Sequence, residues 1–382
     1  MSKLELYSWV KNFITNKKDF FKDKIKLDLT IIIFTYKRPE CVMKSMCYWA
    51  GRSPKIIIVD GSPKIDEMVI KIANKIKNIS YFHLPDMSIP ERIRFAAKKS
   101  LTRFTMCQGD DDYYLISGIK ESLAKISKNN SLVACMGQAI GLDYKNKKPY
   151  FFEYGSNLKN YKIKNKNVIR RLNIAFQNYI PAAFYAVFET KIFRNLWKNN
   201  KSYSCQELFE YEHAFKTFLE GSLITSKKIY WIRSFQYKPK SSKIDGNRKL
   251  IFTEWLNNKK FKKEKNILVN DLSNNIEKKT ILNKIASKEL VFKIFNLIVN
   301  NKNSLYKNYS ILLFLLIKLK ILLEKTYFRK LIKVFKRSFF IQALIEQINY
   351  FSRKRLRISD VPNDNQKKEI KRLLEFLNNC PS

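Results

Sequence analysis

Three consecutive carboxylates are the first chemically suggestive feature of this chain. Gln108-Gly109-Asp110-Asp111-Asp112-Tyr113-Tyr114 follows directly on the apolar Phe104-Thr105-Met106-Cys107. Adjacent carboxylates repel, and crowding them where a hydrophobic strand emerges is unfavourable unless a cation offsets the charge. A hard ion such as Mg²⁺ or Mn²⁺ suits one or two carboxylates together with diphosphate oxygens, so Asp110, Asp111 and Asp112 are the candidate metal ligands. An acidic turn by itself is as consistent with solvated surface. Two other loops change that balance: Thr35-Tyr36-Lys37-Arg38-Pro39 and Asp60-Gly61-Ser62, each closing a β-branched run. Thr35, Tyr36 and Arg38 offer surface for a nucleotide base, Asp60 a carboxylate for a base or ribose hydrogen bond, and Asp110 and Asp111 border the same place. Arg92 and Arg94, just before the acidic strand, are candidates to reach a diphosphate; the competing reading is a solvated helix face.

Those loops must be brought together, and the hydrophobic pattern says how. Strands are expected over 29–35, 55–60, 79–84 and 104–108, alternating with helical periodicity after Pro39 and over 66–77 and 90–100. Short β-branched runs alternating with longer helical patterns are the signature of βαβ units feeding a parallel sheet. In an open α/β sheet the carboxyl ends of the strands form the ligand crevice. A helix is expected over 115–126, a strand over 132–136, irregular hairpin structure over 141–155, and a strand over 179–188. Helices over 190–197 and 203–219 and a strand over 228–233 complete the set. Beyond Pro239 the pattern turns helical with dense Lys and Asn, which puts a domain boundary there. The expected organisation is a helical lead-in over 1–28, an α/β domain over 29–239 and a basic helical region over 240–382.

The chain has 382 residues, 45% of them hydrophobic and 14% aromatic, enough to bury a core and exclude a disordered chain. Its 74 Lys and Arg against 33 Asp and Glu give a net charge of +41. Part of that excess tracks the joint over-use of Lys, Asn, Ile, Phe and Tyr expected of an AT-rich genome; the rest points to an anionic partner. In the C-terminal third, Phe328, Leu331, Ile332, Phe335 and Phe339 share one helical face while Arg329, Lys330, Lys333, Lys336 and Arg337 share the other. This basic amphipathic pattern, with another apolar helix over 311–323, favours an anionic membrane surface over nucleic acid. Nucleic-acid binding would interleave aromatics and cations on exposed strands. The stretch 1–26 has no apolar core of a secretory signal, and the six cysteines form no C-x-x-C pair, so a cytoplasmic protein peripheral to the inner face of a membrane is expected.

The runs LTIIIFTYKRPE, KIIIVDGS and FTMCQGDDDYYLISG, with an Arg-bearing helix between the last two, resemble the N-terminal half of family 2-like GT-A glycosyltransferases, in particular the bacterial branch with three consecutive aspartates. The resemblance implies a Rossmann-like, mostly parallel GT-A sheet. It also implies a nucleotide-diphosphate sugar donor, UDP-sugar favoured, with base and ribose held by the Thr35–Arg38 loop and Asp60, and Mn²⁺ or Mg²⁺ on the Asp110–Asp112 motif. The expected reaction is inverting transfer to a glycan or lipid-linked glycan acceptor in surface polysaccharide synthesis. Two departures stand out: Asp60-Gly61-Ser62 replaces paired aspartates, and the later acidic pair is replaced by Gln206-Glu207-Leu208-Phe209-Glu210-Tyr211-Glu212-His213. Glu207 is the first candidate for the base and Glu210 the second, three residues apart on one helical face; Glu212 and His213 stay open. A nucleotidyltransferase would need a glycine-rich phosphate loop after the first strand, and Thr35-Tyr36-Lys37-Arg38 has no glycine. The non-enzymatic alternative is an inactive GT-A scaffold that binds membrane or nucleic acid.

Overall fold

The computed structural model describes residues 3–16, 20–23, 26–146, 148–177, 179–181, 183–237, 240–307 and 354–380. Ten strands form one sheet: β1 (Leu29–Thr35), β2 (Lys55–Asp60), β3 (Ile79–His83), β4 (Phe104–Gly109), β5 (Tyr113–Tyr114), β6 (Leu132–Lys145), β7 (Lys148–Glu153), β8 (Lys162–Ile163), β9 (Val187–Glu189) and β10 (Ser222–Ser234). Ile31, Ile32 and Ile33 are fully buried, as expected of a strand covered by helices on both faces. Local chemistry sets the intervening helices. Pro39 opens Pro39–Trp49, the Asp66 carboxylate accepts the Met68 N–H at the head of Glu67–Ala73, and Ser88 and Glu91 close a capping box on Ile89–Lys99.

The order β3-β2-β1-β4 is parallel throughout. The chain travels outward from β1 to β3, then returns to place β4 on the other side of β1, with Phe34 opposite Gly109. That reversal is the switch point at which open α/β sheets bind ligands. Beyond β4 the order runs β9-β6-β10-β5. Because β9 is antiparallel to both β4 and β6, and β10 is parallel to β6, only β9 is reversed before the edge strand β5. The fold is thus α/β with a mostly parallel central sheet and helices around it.

Three elements differ from the sequence pattern. β6 runs on to Lys145 and pairs with β7 as a regular hairpin. The apolar run 179–188 contributes only β9 as strand; Phe184 instead packs against Trp197, Phe209 and His213. The helix expected from 203 begins at Leu208, because Ser204 and Cys205 are extended to pair with Asn247.

The expected boundary near 239 is not a break in packing. Phe252 packs edge-to-face with Tyr211 and Phe295, at 5.2 and 5.5 Å between ring centroids, so helices Lys262–Glu277 and Lys284–Lys307 share the core of helix Leu208–Glu220. The C-terminal helix Asp364–Asn379 returns to the N-terminal helix Lys3–Asn16, with Phe376 5.3 Å from both Phe13 and Phe21. On the sheet, the Gln366 amide donates to the Ile229 carbonyl at 2.7 Å and accepts the Ile229 N–H at 3.2 Å, bridging a place where the β10–β6 register shifts. No helix among the described residues is long and apolar enough to cross a membrane. The basic helices expected over 311–323 and around Phe328 to Phe339 lie outside the described residues.

Candidate functional site

A cleft of about 340 Å³ opens at the switch point. The first half of the chain gives it Thr35, Tyr36, Arg38 and Asp110 to Asp112; the second half gives it Tyr185, Glu207, Glu210, Arg233, Tyr237, Lys240 and Arg248. β1 and β4 are hydrogen-bonded neighbours, so their carboxyl ends deliver Thr35 and Asp110 to one spot. The Thr35 hydroxyl donates to Asp110 at 2.7 Å.

Arg38 occupies the centre of the acidic turn. One guanidinium nitrogen lies 2.8 Å from Asp110 and the other bonds Asp111. Burial lowers the pKa of Arg38, but the two aspartates outweigh it and hold the guanidinium charged. Asp112 faces away: its carboxylate accepts the Ser234 N–H at 3.1 Å. Burial and the neighbouring Asp111 push its carboxyl up to about 8, partly opposed by Trp231, the Ser234 N–H and Arg233. Asp110 is also raised, to about 7, by burial against the pull of Arg38.

This donor set fits a hard divalent ion. All three side chains offer oxygen, and the one guanidinium in contact with them serves only Asp110 and Asp111. Among the described residues no group of three His, Cys, Asp or Glu is arranged to hold a metal ion by itself; Mg²⁺ and Mn²⁺ can be bound through one or two carboxylates together with substrate oxygens. Arg38 pairs with both Asp110 and Asp111, while Asp112 accepts the Ser234 N–H.

The other predicted residues separate into three groups. Tyr36 lines the cleft beside Lys37, which adopts a left-handed φ of 54° as the chain turns out of β1. Asp60 lies outside the lining: its carboxylate accepts the Ser62 N–H at 2.7 Å and the Tyr81 hydroxyl at 2.6 Å. The two arginines correct the expectation that both reach a diphosphate. Arg94 is absent from the lining and donates to the Lys198 carbonyl at 3.3 Å, because two residues along a helix is more than half a turn away. Arg92 borders the cleft but is buried and committed. It donates to the Thr35 carbonyl at 2.7 Å and to both Asp245 oxygens at 3.2 Å. Gly61 makes room for it, since a Cβ there would lie 2.5 Å from the guanidinium carbon.

Glu207 and Glu210 both line the cleft. Glu207 precedes helix Leu208–Glu220 and accepts the Phe252 N–H at 3.2 Å. Glu210, one turn on, acts electrostatically on Tyr185 and Arg248. Glu212 and His213 point into the core. Glu212 bonds Lys216, and burial among aromatic rings drives His213 down to about 3.

Sequence patterning missed the strap over 234–250 that supplies Tyr237, Lys240 and Arg248. Asp245 pins it, accepting the Ile89 N–H at 2.6 Å, the Ser242 hydroxyl at 2.8 Å and the Arg92 fork. The available signal was the turn Asp245-Gly246-Asn247, with Gly246 at φ 88°.

No family model and no curated protein matches this chain. Among solved structures it is similar to S. aureus TarS residues 1–349 in complex with UDP-GlcNAc, at 13% identity and TM-score 0.48 over 75% of this chain and 77% of that one. It is similar to the same TarS fragment alone at 11% and 0.45, over 75% and 76%. To the TarS crystal structure it is similar at 16% and 0.38, over 66% and 43%. A likeness at this level concerns the path of the chain; the functional reading rests on the cleft.

Proposed function

We propose that this chain is a GT-A glycosyltransferase of the family 2-like type that moves a sugar from a nucleotide-diphosphate sugar, with UDP-sugars the first to test, onto a glycan or lipid-linked glycan. The observation that carries the reading is the convergence, at one switch point, of an oxygen-only acidic turn, an aromatic residue for the base and a pair of glutamates. Tyr36 offers its ring to the base. Asp111 and Asp112 would hold Mn²⁺ or Mg²⁺, which when bound neutralises charge growing on the departing diphosphate. Arg233, Lys240 and Arg248 add fixed cations for the same oxygens.

In the inverting displacement the bond from anomeric carbon to acceptor oxygen forms as the bond to the diphosphate breaks, and a carboxylate takes the acceptor proton. We assign that base to Glu210, which lines the cleft from the first turn of helix Leu208–Glu220 and acts electrostatically on Tyr185 and Arg248. Glu207, the first choice on sequence, accepts the Phe252 N–H at the head of helix Phe252–Asn257. The incubation that tests the reading contains a UDP-sugar panel, Mn²⁺ and a panel of glycan and lipid-linked glycan acceptors, and follows acceptor-dependent UDP release. Release by the wild type that falls by about 10²–10⁴ in Glu210→Gln supports it; no release from any member contradicts it. The region over 240–382 is proposed to hold the enzyme at the cytoplasmic, anionic face of a membrane in surface polysaccharide synthesis. Co-sedimentation of the full chain with anionic but not neutral vesicles is the expected result, and equal recovery with both would refute that placement.

A further inference from the structure

A second hollow, of about 180 Å³, lies beside the cleft, bounded by Tyr154, Asn157, Leu158, Ile180 and Trp231. Two aromatic rings make a corner of it: Tyr154 and Trp231 stand 5.9 Å apart with planes at 86°. Trp231 is stacked from behind by Tyr185, 4.5 Å away and itself a lining residue of the main cleft. Arg233 joins the two spaces. It lines the cleft, bonds the Tyr154 hydroxyl, and lies 5.3 Å from the Tyr154 ring and 5.6 Å from the Trp231 ring. Asn157 is exposed at the rim, offering an amide donor and acceptor.

A partly exposed aromatic face with an amide at the rim matches a ligand that is apolar on its ring face and hydroxylated around its perimeter. We infer that this hollow is the subsite for a sugar residue of the acceptor, with the Tyr154 ring against its C–H face, the perpendicular Trp231 ring as a buried side wall and Asn157 on its hydroxyls. The inference rests on the glycosyltransferase reading for the word acceptor, and on the hollow alone for the word sugar. An acyl chain would have no use for the amide at the rim.

Saturation-transfer NMR with methyl glucosides, methyl N-acetylglucosaminides and cellobiose separates the two layers, with UDP and Mn²⁺ titrated in parallel. At least one saccharide is expected to receive saturation from wild type, to lose at least fivefold of it in Asn157→Trp, which fills the hollow, and to keep it in Tyr154→Phe, which keeps the ring. UDP binding in Asn157→Trp is expected to stay within twofold of wild type. Absence of transfer to every saccharide, or unchanged transfer in Asn157→Trp, overturns the subsite whatever UDP does. Loss of UDP binding in wild type would count against the donor reading and leave the saccharide result to stand or fall separately.

Discussion

The cleft has a floor held by the sheet and a wall held by side chains. On the floor, Thr35 and Asp110 sit at the ends of adjacent parallel strands, and the whole ladder between β1 and β4 fixes their separation. The wall over 234–237 and 240–252 is held mainly by side-chain anchors, among them Asp112 on the Ser234 N–H, Glu207 on the Phe252 N–H and Asp245 on Arg92, with Asn247 paired to Ser204 and Gln206 through backbone bonds. A ladder is cooperative and loses little with any one bond, whereas an anchor is one residue deep. On the proposed function, the acidic turn lies on the floor and the cations Lys240 and Arg248 on the wall.

Disturbing each side should separate them. The largest effect is expected at the base: Glu210→Gln should lower kcat by about 10²–10⁴ with nucleotide affinity little changed, while Glu207→Gln should act mainly on stability and KM, read by steady-state kinetics beside thermal unfolding. If Glu207→Gln carries the larger kcat loss, the roles assigned to the pair are reversed. Next comes the deepest anchor. Arg92 and Asp245 are 1% and 0% exposed, and removing one partner of a buried pair costs about 3–5 kcal/mol. Arg92→Met should therefore lower stability in denaturant titration by that order, and a loss below about 1 kcal/mol would show that the wall does not hang there.

A smaller effect is expected from pH. Asp112 is raised in the folded state to about 8 from an ordinary value near 4, so the folded protein binds more protons in between. Stability without divalent ion should be greatest at the acid end of that window and fall as pH rises toward 8. Asp112→Asn should flatten the slope, as followed by thermal unfolding with chelator present; an unchanged slope would place the proton elsewhere. The smallest effect belongs to the exposed Glu67–Lys71 pair, whose side chains are 80% and 64% exposed. Glu67→Ala should change stability by no more than about 0.5 kcal/mol, which sets the baseline for the others.

The floor was far more legible in sequence than the wall, for a physical reason. β1, β2 and the helix opening at Pro39 are specified by residues within each element: β-branched runs and a proline. The acidic turn announces itself because three adjacent carboxylates need an explanation. The wall depends on contacts between residues far apart in sequence. Arg92 reads as a solvated or ligand-facing cation until Asp245, 153 residues on, is brought to it. The run 179–188 is apolar because Phe184 and Tyr185 fill the core and back Trp231, and apolarity does not say whether a ladder or a packed turn has produced it. Gly141 reads as a turn signal, yet lies inside β6 where the Phe152 ring crosses the backbone; a Cβ there would meet that ring at 2.1 Å.

On the proposed function, the acidic floor binds a nucleoside diphosphate through a divalent ion held by Asp111 and Asp112. Calorimetric titration of UDP with and without Mn²⁺, on wild type and Asp112→Asn, decides this. Binding is expected to require Mn²⁺ in the wild type and to disappear in the variant. Binding of equal strength without Mn²⁺, or in Asp112→Asn, would refute that site.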